Sequence, residues 1–511
     1  MISGRTMARA VMAAALTLPA ALSAQQSERI DDWWSPGQGT PLPERANYSN
    51  AGGMLGVFNQ AGVLETKGHA FFEPLGSNGR ACVSCHQPSD GMSISVATVQ
   101  RRWQATAGRD PIFAEVDGAN CPNQPRGEAS SHSLLLERGL FRIGLPWPPR
   151  DANGAVIEPE YDLELVSDPV HCNSDSEYGI TSATPTVSVY RRPRPVANFK
   201  YFAYPRGPGL GFNIKDGTPL DRDPETGYPS TMNIMADARE PTLKQQAINA
   251  GLGHLQTQGR LSEAQLKQIT DFEAQVYVAQ AYNEFAGSFE TPSAPDSLGP
   301  VAVANGVPGL GDNLHNPVFG FYESWKREDF DGSADGADEF KASVARGSDV
   351  FFLRQFWLKD TTHINSIGLG NPLKRTCATC HNARMTGMDL APGWVDLGTT
   401  NYPTWNGPRT FTEDSPLPVF KLTCKPGYKT HPYLGTVVYT HDPGRALISG
   451  RCVDIGAITM QQMRGLAARA PYFANGSAKS IAEIVDYYDR RFNIGYSEQE
   501  RQDLINFLSV L

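Results

Sequence analysis

The chain has 511 residues, including 49 glycines and 38 prolines, and a formal net charge of −9 at pH 7. The acidic balance argues against nucleic acid as a partner, because a phosphate backbone attracts basic surfaces. The length suits two or three domains of about 150 residues each. The glycine and proline content predicts a loop-rich chain.

The first residues have the pattern of a secretion signal. Arg5 and Arg9 precede an apolar stretch that runs from Ala10 to Leu22. Small residues end this segment at Ala24. A stretch of about 13 apolar residues is shorter than the roughly 20 that span a membrane as a helix. We therefore expect residues 1–24 to be a cleaved signal peptide, and a mature chain without a transmembrane segment in the periplasm. An uncleaved anchor is the alternative.

Composition shifts along the chain suggest its domain organisation. Residues 25–60 are predicted to be an extended N-terminal segment, and residues 61–286 a first domain with a Pro-rich and Arg-rich insertion at about 100–230. Residues 287–335 have a linker composition, and 336–511 form a second domain. The predicted fold class is mainly α and loop-rich, with large irregular insertions.

Three helices are predicted where a serine precedes Glu or Gln by three residues and an apolar stripe follows. They begin after Ser262, Ser480 and Ser497. Their apolar positions are Leu266, Ile269, Phe272 and Val276, then Ile481, Ile484, Val485 and Tyr488, and finally Leu504, Leu508 and Leu511. The spacing places Tyr488 on the buried face of its helix.

Two motifs predict covalently bound haem. Cysteines two residues apart lie about one helical turn apart and can form thioethers with both haem vinyl groups, while the next histidine binds the iron. A redox disulfide or half of a zinc site is the alternative for one such pair, but both pairs here are followed directly by histidine. The predicted attachment residues are Cys82, Cys85, Cys377 and Cys380, and the predicted iron ligands are His86 and His381.

Four further cysteines can form two disulfides. Three pairings are possible. Cys121–Cys172 and Cys424–Cys452 are favoured because each pair closes a local loop on one side of the second haem motif. An oxidising compartment would maintain both bonds. Four free thiols are the alternative.

The second axial ligand of each iron decides between electron transfer and small-molecule chemistry. No histidine occurs between His86 and His132, and Met92 is expected to pack in the core. We therefore predict an open distal side for the first haem. The second haem has no histidine after His441, and its candidate ligands are Met385, Met388, Met460, Met463 and Tyr488.

Four segments resemble the bacterial di-haem cytochrome c peroxidase superfamily, which includes MauG and, more distantly, the rubber oxygenases. The resemblance covers roughly residues 65–275 and 340–511, with large insertions. The segments are 184–187, 237–247, 344–352 and 464–477, of which the last is the most specific.

This resemblance implies two cytochrome c-like domains that exchange electrons. The N-terminal haem would react with hydrogen peroxide or oxygen, and the C-terminal haem would relay electrons from a small cytochrome c or copper protein. Tyr488 falls where peroxidases have an axial methionine and MauG-type enzymes a tyrosine. The distal glutamate of the family falls on Gln256, which cannot transfer a proton. His254, two residues away, is the candidate for proton transfer or could bind the iron itself, and both residues are expected to line the distal face. The alternative for His254 is a surface histidine.

The resemblance leaves other questions open. The asparagine that helps to bind calcium in relatives corresponds to Val189, which makes calcium binding an open question. A MauG-like or rubber-oxygenase-like oxidase that acts on a protein or organic substrate is one alternative function. A di-haem electron carrier without enzymatic activity is another.

Overall fold

The structure, a computed structural model, describes residues 32–151, 153–199, 233–305, 322–326, 336–361, 372–381, 393–400 and 415–511. Of these residues, 30% are helical and 20% lie in strands or bridges. The predicted loop-rich character holds, but the prediction of a mainly α fold is wrong. Every element described here belongs to one compact unit, Trp33–Leu511.

Helices and short strands alternate along the described chain. The helices are α1 Val96–Thr106, α2 Ser133–Arg138, α3 Leu243–Gly253, α4 Glu263–Gln275, α5 Pro300–Asn305, α6 Gly336–Leu353, α7 Ala446–Ser449, α8 Ile481–Phe492 and α9 Glu498–Ser509. The strands are β1 Arg45–Asn50, β2 Gly53–Asn59, β3 Phe141–Pro146, β4 Tyr161–Ser167, β5 Thr186–Arg191, β6 Val276–Asn283, β7 Gly287–Ser288, β8 Phe356–Leu358, β9 Leu373–Arg375, β10 Trp394–Val395, β11 Val419–Cys424, β12 Val437–Thr440 and β13 Ile458–Thr459.

The three helices predicted from serine caps are confirmed as α4, α8 and α9. Each serine accepts a hydrogen bond from the backbone amide three residues later, which satisfies one of the free amides at the helix start. The apolar stripe of α4 packs with Leu42, Phe71 and Met92 in an apolar core that we call the first core. Strand β6 follows α4 directly at Val276. Strand β6 then joins a four-stranded sheet in the order β1-β2-β6-β7.

The region predicted to be an irregular insertion contains strands instead. Strand β4 pairs in antiparallel fashion with β11, so that Leu163 lies opposite Leu422 and Leu165 lies opposite Phe420. Strands β3 and β5 pair beside them, and all contribute to one apolar core. We call the sheets β3–β5 and β12–β11–β4 the β module. Proline breaks regular structure only locally, so strands form between the prolines of this segment.

The C-terminal core is built by α6, α8 and α9. Arg346 on α6 donates two hydrogen bonds to Asp503 on α9, at 2.8 and 2.9 Å. A Cβ at Gly347 would overlap the Asp503 carbonyl, so glycine allows these helices to approach closely. Leu504, Leu508 and Leu511 are buried as predicted.

Two expectations concern the chain as a whole. Within the described residues, no helix has both the length and the apolar character needed to cross a membrane. The domain boundaries at 61–286 and 336–511 stay predictions, and residues 1–24 lie outside the described residues.

Candidate functional site

The first haem motif borders a large cavity. Cys82, Cys85 and His86 line a space with an empty volume of about 1230 Å³, which includes open solvent at its mouth. The motif turns tightly because Cys82–Ser84 form a 3-10 helix, and the His86 amide donates to the Cys82 carbonyl at 3.1 Å. Two thioethers and one iron ligand require this juxtaposition.

The backbone of Met92 and that of Arg194 both lie against the His86 ring. The Nδ1–H of His86 donates to the backbone carbonyl of Met92 at 3.2 Å, which leaves the lone pair on Nε2. Burial lowers the pKa of His86 to about 4, so the ring is neutral near pH 7. Neutral imidazole with its second nitrogen hydrogen-bonded is the usual form of an iron-binding histidine. Met92 itself is fully buried in the first core and does not line the cavity.

A histidine–aspartate pair borders the same cavity. The Nδ1–H of His254 donates to Oδ2 of Asp117 at 2.5 Å, and Arg80 donates to Oδ1 of that carboxylate. Asp117 and Arg80 are buried, while the His254 side chain is 34% exposed. Burial raises the pKa of Asp117, but Arg80 and His254 outweigh this effect and leave the pKa below its usual value. Asp117 is therefore a carboxylate that orients the His254 ring.

The structure separates the two residues that were expected to line the distal face. His254, at the C-terminal end of α3, lines the cavity. Gln256 lies two residues farther on, in the left-handed conformation with φ of 54°, where it is exposed and outside the lining of the cavity. Of these two residues, only His254 lies where it can act on a molecule in the cavity.

Three buried polar atoms that line this cavity have no hydrogen-bond partner among the described residues. They are Oε1 of Gln246, Oε2 of Glu273 and Nε of Arg194. Burial raises the pKa of Glu273 to about 8, so its carboxyl group is largely protonated at neutral pH. Buried polar groups without partners are rare in proteins, and here they face a space that a haem and water would fill. The cavity therefore fits the predicted cofactor.

Sequence reasoning identified only part of this wall. Asp117, Arg80 and Glu273 were missed, although Arg80 stands two residues before Cys82 and could have been noticed there. Gln246 belongs to the segment 237–247 that carries the family resemblance. Asp117 has no local signal, because its partner His254 is 137 residues away.

The second haem motif borders a smaller and more apolar cavity. Cys377, Cys380 and His381 line a space with an empty volume of about 650 Å³. Burial lowers the pKa of His381 to about 4, so this ring is also neutral near pH 7. Its Nδ1 is buried without a partner among the described residues. The rest of the wall is mainly aromatic and aliphatic and includes Phe351, Phe356, Leu397, Ile484, Phe492 and Leu504.

Tyr488 on α8 shares this cavity with His381, and both also border an adjoining cavity. Burial raises the pKa of Tyr488, with a further rise from the neighbouring Cys380. Among the other candidate ligands, Met463 lines both cavities and Met460 only the adjoining one. Met385 and Met388 lie outside the described residues. Tyr488 stays the predicted iron ligand, and Met463, which lines the same two cavities, is the alternative ligand.

Arginines, among them Arg192 and Arg194, line the first cavity. Arg192 lines both the first cavity and the cavity beside His381. Its guanidinium donates to the carbonyls of Ile94 and Arg469 at 2.5 and 2.9 Å, while Arg194 donates to those of Thr459 and Met460. Burial lowers the pKa of Arg192 to about 10 and that of Arg194 to about 9. Such cations suit the carboxylates of haem propionates.

The structure contains both disulfides in the favoured pairing. The Cα atoms are 5.2 Å apart in Cys121–Cys172 and 5.9 Å apart in Cys424–Cys452. Val189, the position considered for calcium, is buried in the core of the β module. Within the described ranges, no group of three or more His, Cys, Asp or Glu side chains is arranged for a metal ion.

Comparison with known proteins gives a curated relative for part of the chain. The cytochrome-c peroxidase IdrP1 of Pseudomonas sp. strain SCT is 28% identical over 168 residues, which cover 30% of this chain. Over this stretch the chain is similar to a cytochrome-c peroxidase. The match spans 40% of that peroxidase, less than half of its length. No family model matches the sequence.

Two solved structures show weak overall likeness. The hydrazine synthase of Kuenenia stuttgartiensis under xenon pressure is 14% identical, with 82% of this chain and 93% of that chain covered and a TM-score of 0.27. A MauG-like protein associated with microbial copper homeostasis is 16% identical, with 59% and 79% covered and a TM-score of 0.25. At these scores neither structure carries an argument, and the likeness to a peroxidase rests on IdrP1 and on the two haem motifs.

Proposed function

We propose that this protein is an exported di-haem c-type peroxidase that reduces hydrogen peroxide at its N-terminal haem. The observation that carries the proposal is the first cavity, where Cys82, Cys85 and His86 face the same space as His254. A haem held there supplies an iron that binds peroxide and exchanges electrons with it.

The chain itself contributes proton transfer. The overall reaction is H₂O₂ + 2 e⁻ + 2 H⁺ → 2 H₂O. Nε2 of His254 takes a proton from the incoming peroxide and returns it to the oxygen that leaves as water when the O–O bond breaks. Asp117 keeps the opposite nitrogen protonated, so that Nε2 is the basic atom. The oxygen that remains then takes up two electrons and two protons from solvent to form the second water, which balances the overall reaction.

Electrons would arrive through the second haem. Cys377 and Cys380 would attach it, with His381 and Tyr488 as its axial ligands. The donor would be a small cytochrome c or copper protein of the periplasm, which the chain would reach through the signal at residues 1–24. Arg192, which lines the first cavity and the cavity that adjoins the second motif at His381, supports a short route between the two motifs.

The test uses full-length protein from a host competent in cytochrome maturation. Its mass should show two added porphyrins, its ferric form should give a high-spin paramagnetic resonance signal, and it should consume peroxide with a reduced cytochrome c as donor. Cys82→Ala/Cys85→Ala should abolish turnover and the high-spin signal together. No peroxide consumption in any redox state would falsify the proposal.

One observation favours a second candidate, a di-haem electron carrier. An iron-binding histidine commonly donates its second N–H to a carboxylate, as His254 does to Asp117. If Nε2 of His254 binds the iron, both haems are six-coordinate and low-spin, and peroxide has no open position. A purely low-spin ferric spectrum would identify this case.

A further inference from the structure

Arg80 is fixed in place before the haem motif begins. Its Nε donates to the Pro111 carbonyl at 2.8 Å, and its Nη2 donates to the carbonyls of Ile112 and Ala114 at 2.6 and 3.1 Å. The side chain is 1% exposed. These bonds hold Nε and Nη2, while Nη1 contacts the carboxylate of Asp117. Asp117 is therefore paired with a cation whose position is fixed.

The same segment also holds the backbone of His254. Asn78 Nδ2 donates to the His254 carbonyl at 2.8 Å, and Arg80 Nη1 lies 3.4 Å from that oxygen. Both the main chain and the ring of His254 are thus tied to residues 78–80, directly or through Asp117. The residues that lead into the haem attachment site therefore also set the position of the histidine in the cavity.

The charge of Asp117 decides which nitrogen of His254 is basic. A carboxylate only accepts hydrogen bonds, so Nδ1 must carry the proton and Nε2 must carry the lone pair. An amide at position 117 could donate instead and would favour the opposite tautomer. The distance of 2.5 Å between Nδ1 and Oδ2 makes this a short, charge-supported contact.

We propose that Asp117, supported by Arg80, is a positioning residue that makes His254 the proton acceptor of the N-terminal cavity. This inference rests on the proposed function. It adds a buried carboxylate–histidine relay that is anchored to the haem attachment segment. The same relay would take the proton from any acidic small molecule that binds as an anion, such as hydrogen cyanide.

The test measures cyanide binding to the ferric, haem-loaded protein. Hydrogen cyanide must lose its proton to a base in the cavity, whereas carbon monoxide binds the ferrous protein without proton transfer. Asp117→Asn should slow cyanide binding by about 100-fold, which lies within the range for a lost general base. Carbon monoxide binding should change by less than about twofold, because the space in the cavity is retained.

Asp110→Asn is the matched control. Asp110 is a buried aspartate of the same region, but it pairs with Arg102 at 2.6 Å and has no bond to His254. This variant should bind cyanide at the wild-type rate. In a His254→Gln background, Asp117→Asn should add no further slowing, because Asp117 acts through that ring.

Several outcomes overturn the inference. Equal slowing by Asp117→Asn and Asp110→Asn, or equal effects on cyanide and carbon monoxide, would show a structural role only. A wild-type ferric protein that binds no cyanide would also overturn it, since Nε2 would then be occupied by iron. Normal cyanide kinetics with no peroxide turnover would reject the proposed function and leave this inference standing.

Discussion

The two haem cavities differ in polarity. The N-terminal cavity is lined by charged and hydrogen-bonding groups that include Arg194, Gln246, His254 and Glu273. The wall of the C-terminal cavity consists mainly of aromatic and aliphatic side chains, with the hydroxyl group of Tyr488 among them. Both walls are mainly apolar, but titratable groups such as His254 and Glu273 allow the first cavity to deliver protons to a small molecule. The comparison supports proton transfer in the N-terminal cavity and electron transfer in the C-terminal cavity.

The largest expected effect tests the proton chemistry of the first cavity. His254→Gln should lower the rate of peroxide reduction by on the order of 100- to 1000-fold, because a general acid–base group contributes that much. Gln256→Ala should leave the rate unchanged, since the structure places Gln256 outside the cavity. Stopped-flow measurement of both variants checks this, and a larger loss with Gln256→Ala would reverse the assignment.

Tyr488 tests the electron role of the second cavity. Tyr488→Phe should raise the reduction potential of the C-terminal haem by on the order of 100 mV, because an anionic ligand that stabilises ferric iron is lost. Tyr496→Phe is the control, as Tyr496 lines the same cavity. Spectroelectrochemical titration compares them. An unchanged potential in Tyr488→Phe would favour Met463 as the ligand.

The smallest effect concerns Glu273, whose pKa is raised to about 8 by burial. Unfolded glutamate titrates near 4.3, so between these values the unfolded chain releases a proton that the folded chain keeps. Stability from this group is therefore full below about pH 4 and is lost as the pH rises through 8. Between pH 6 and pH 8, the free energy of unfolding should therefore fall by about 2 kcal/mol less in Glu273→Gln than in the wild type.

Urea unfolding at both pH values measures the Glu273 effect. Glu263→Gln is the control, because Glu263 lies on the same helix with 68% of its side chain exposed. It should follow the wild-type pH dependence. If Glu273→Gln does so as well, the carboxyl of Glu273 is not held in its neutral form by the fold.

Features that depend on residues close together in the sequence could be predicted, whereas features that depend on distant residues could not. The three capped helices and both disulfides were predicted because each depends on a local pattern or on a short loop. The pairing of β4 with β11 was not, because neither short strand indicates its partner. Asp117 was missed for the same reason, since only the fold brings it to His254. Non-local pairing thus explains both the wrong fold class and the incomplete site.

The pairing of β4 with β11 also limits how this protein can be divided. The strands lie far apart in the chain: Lys421 bonds to Glu164 across 257 residues. A fragment that ends between residues 287 and 335 would keep β4 but lack β11, and would expose the unpaired edge of β4. Such edges invite aggregation between copies. Separate expression of the two halves is therefore a poor way to isolate single haems, and point replacement of attachment cysteines is the better route.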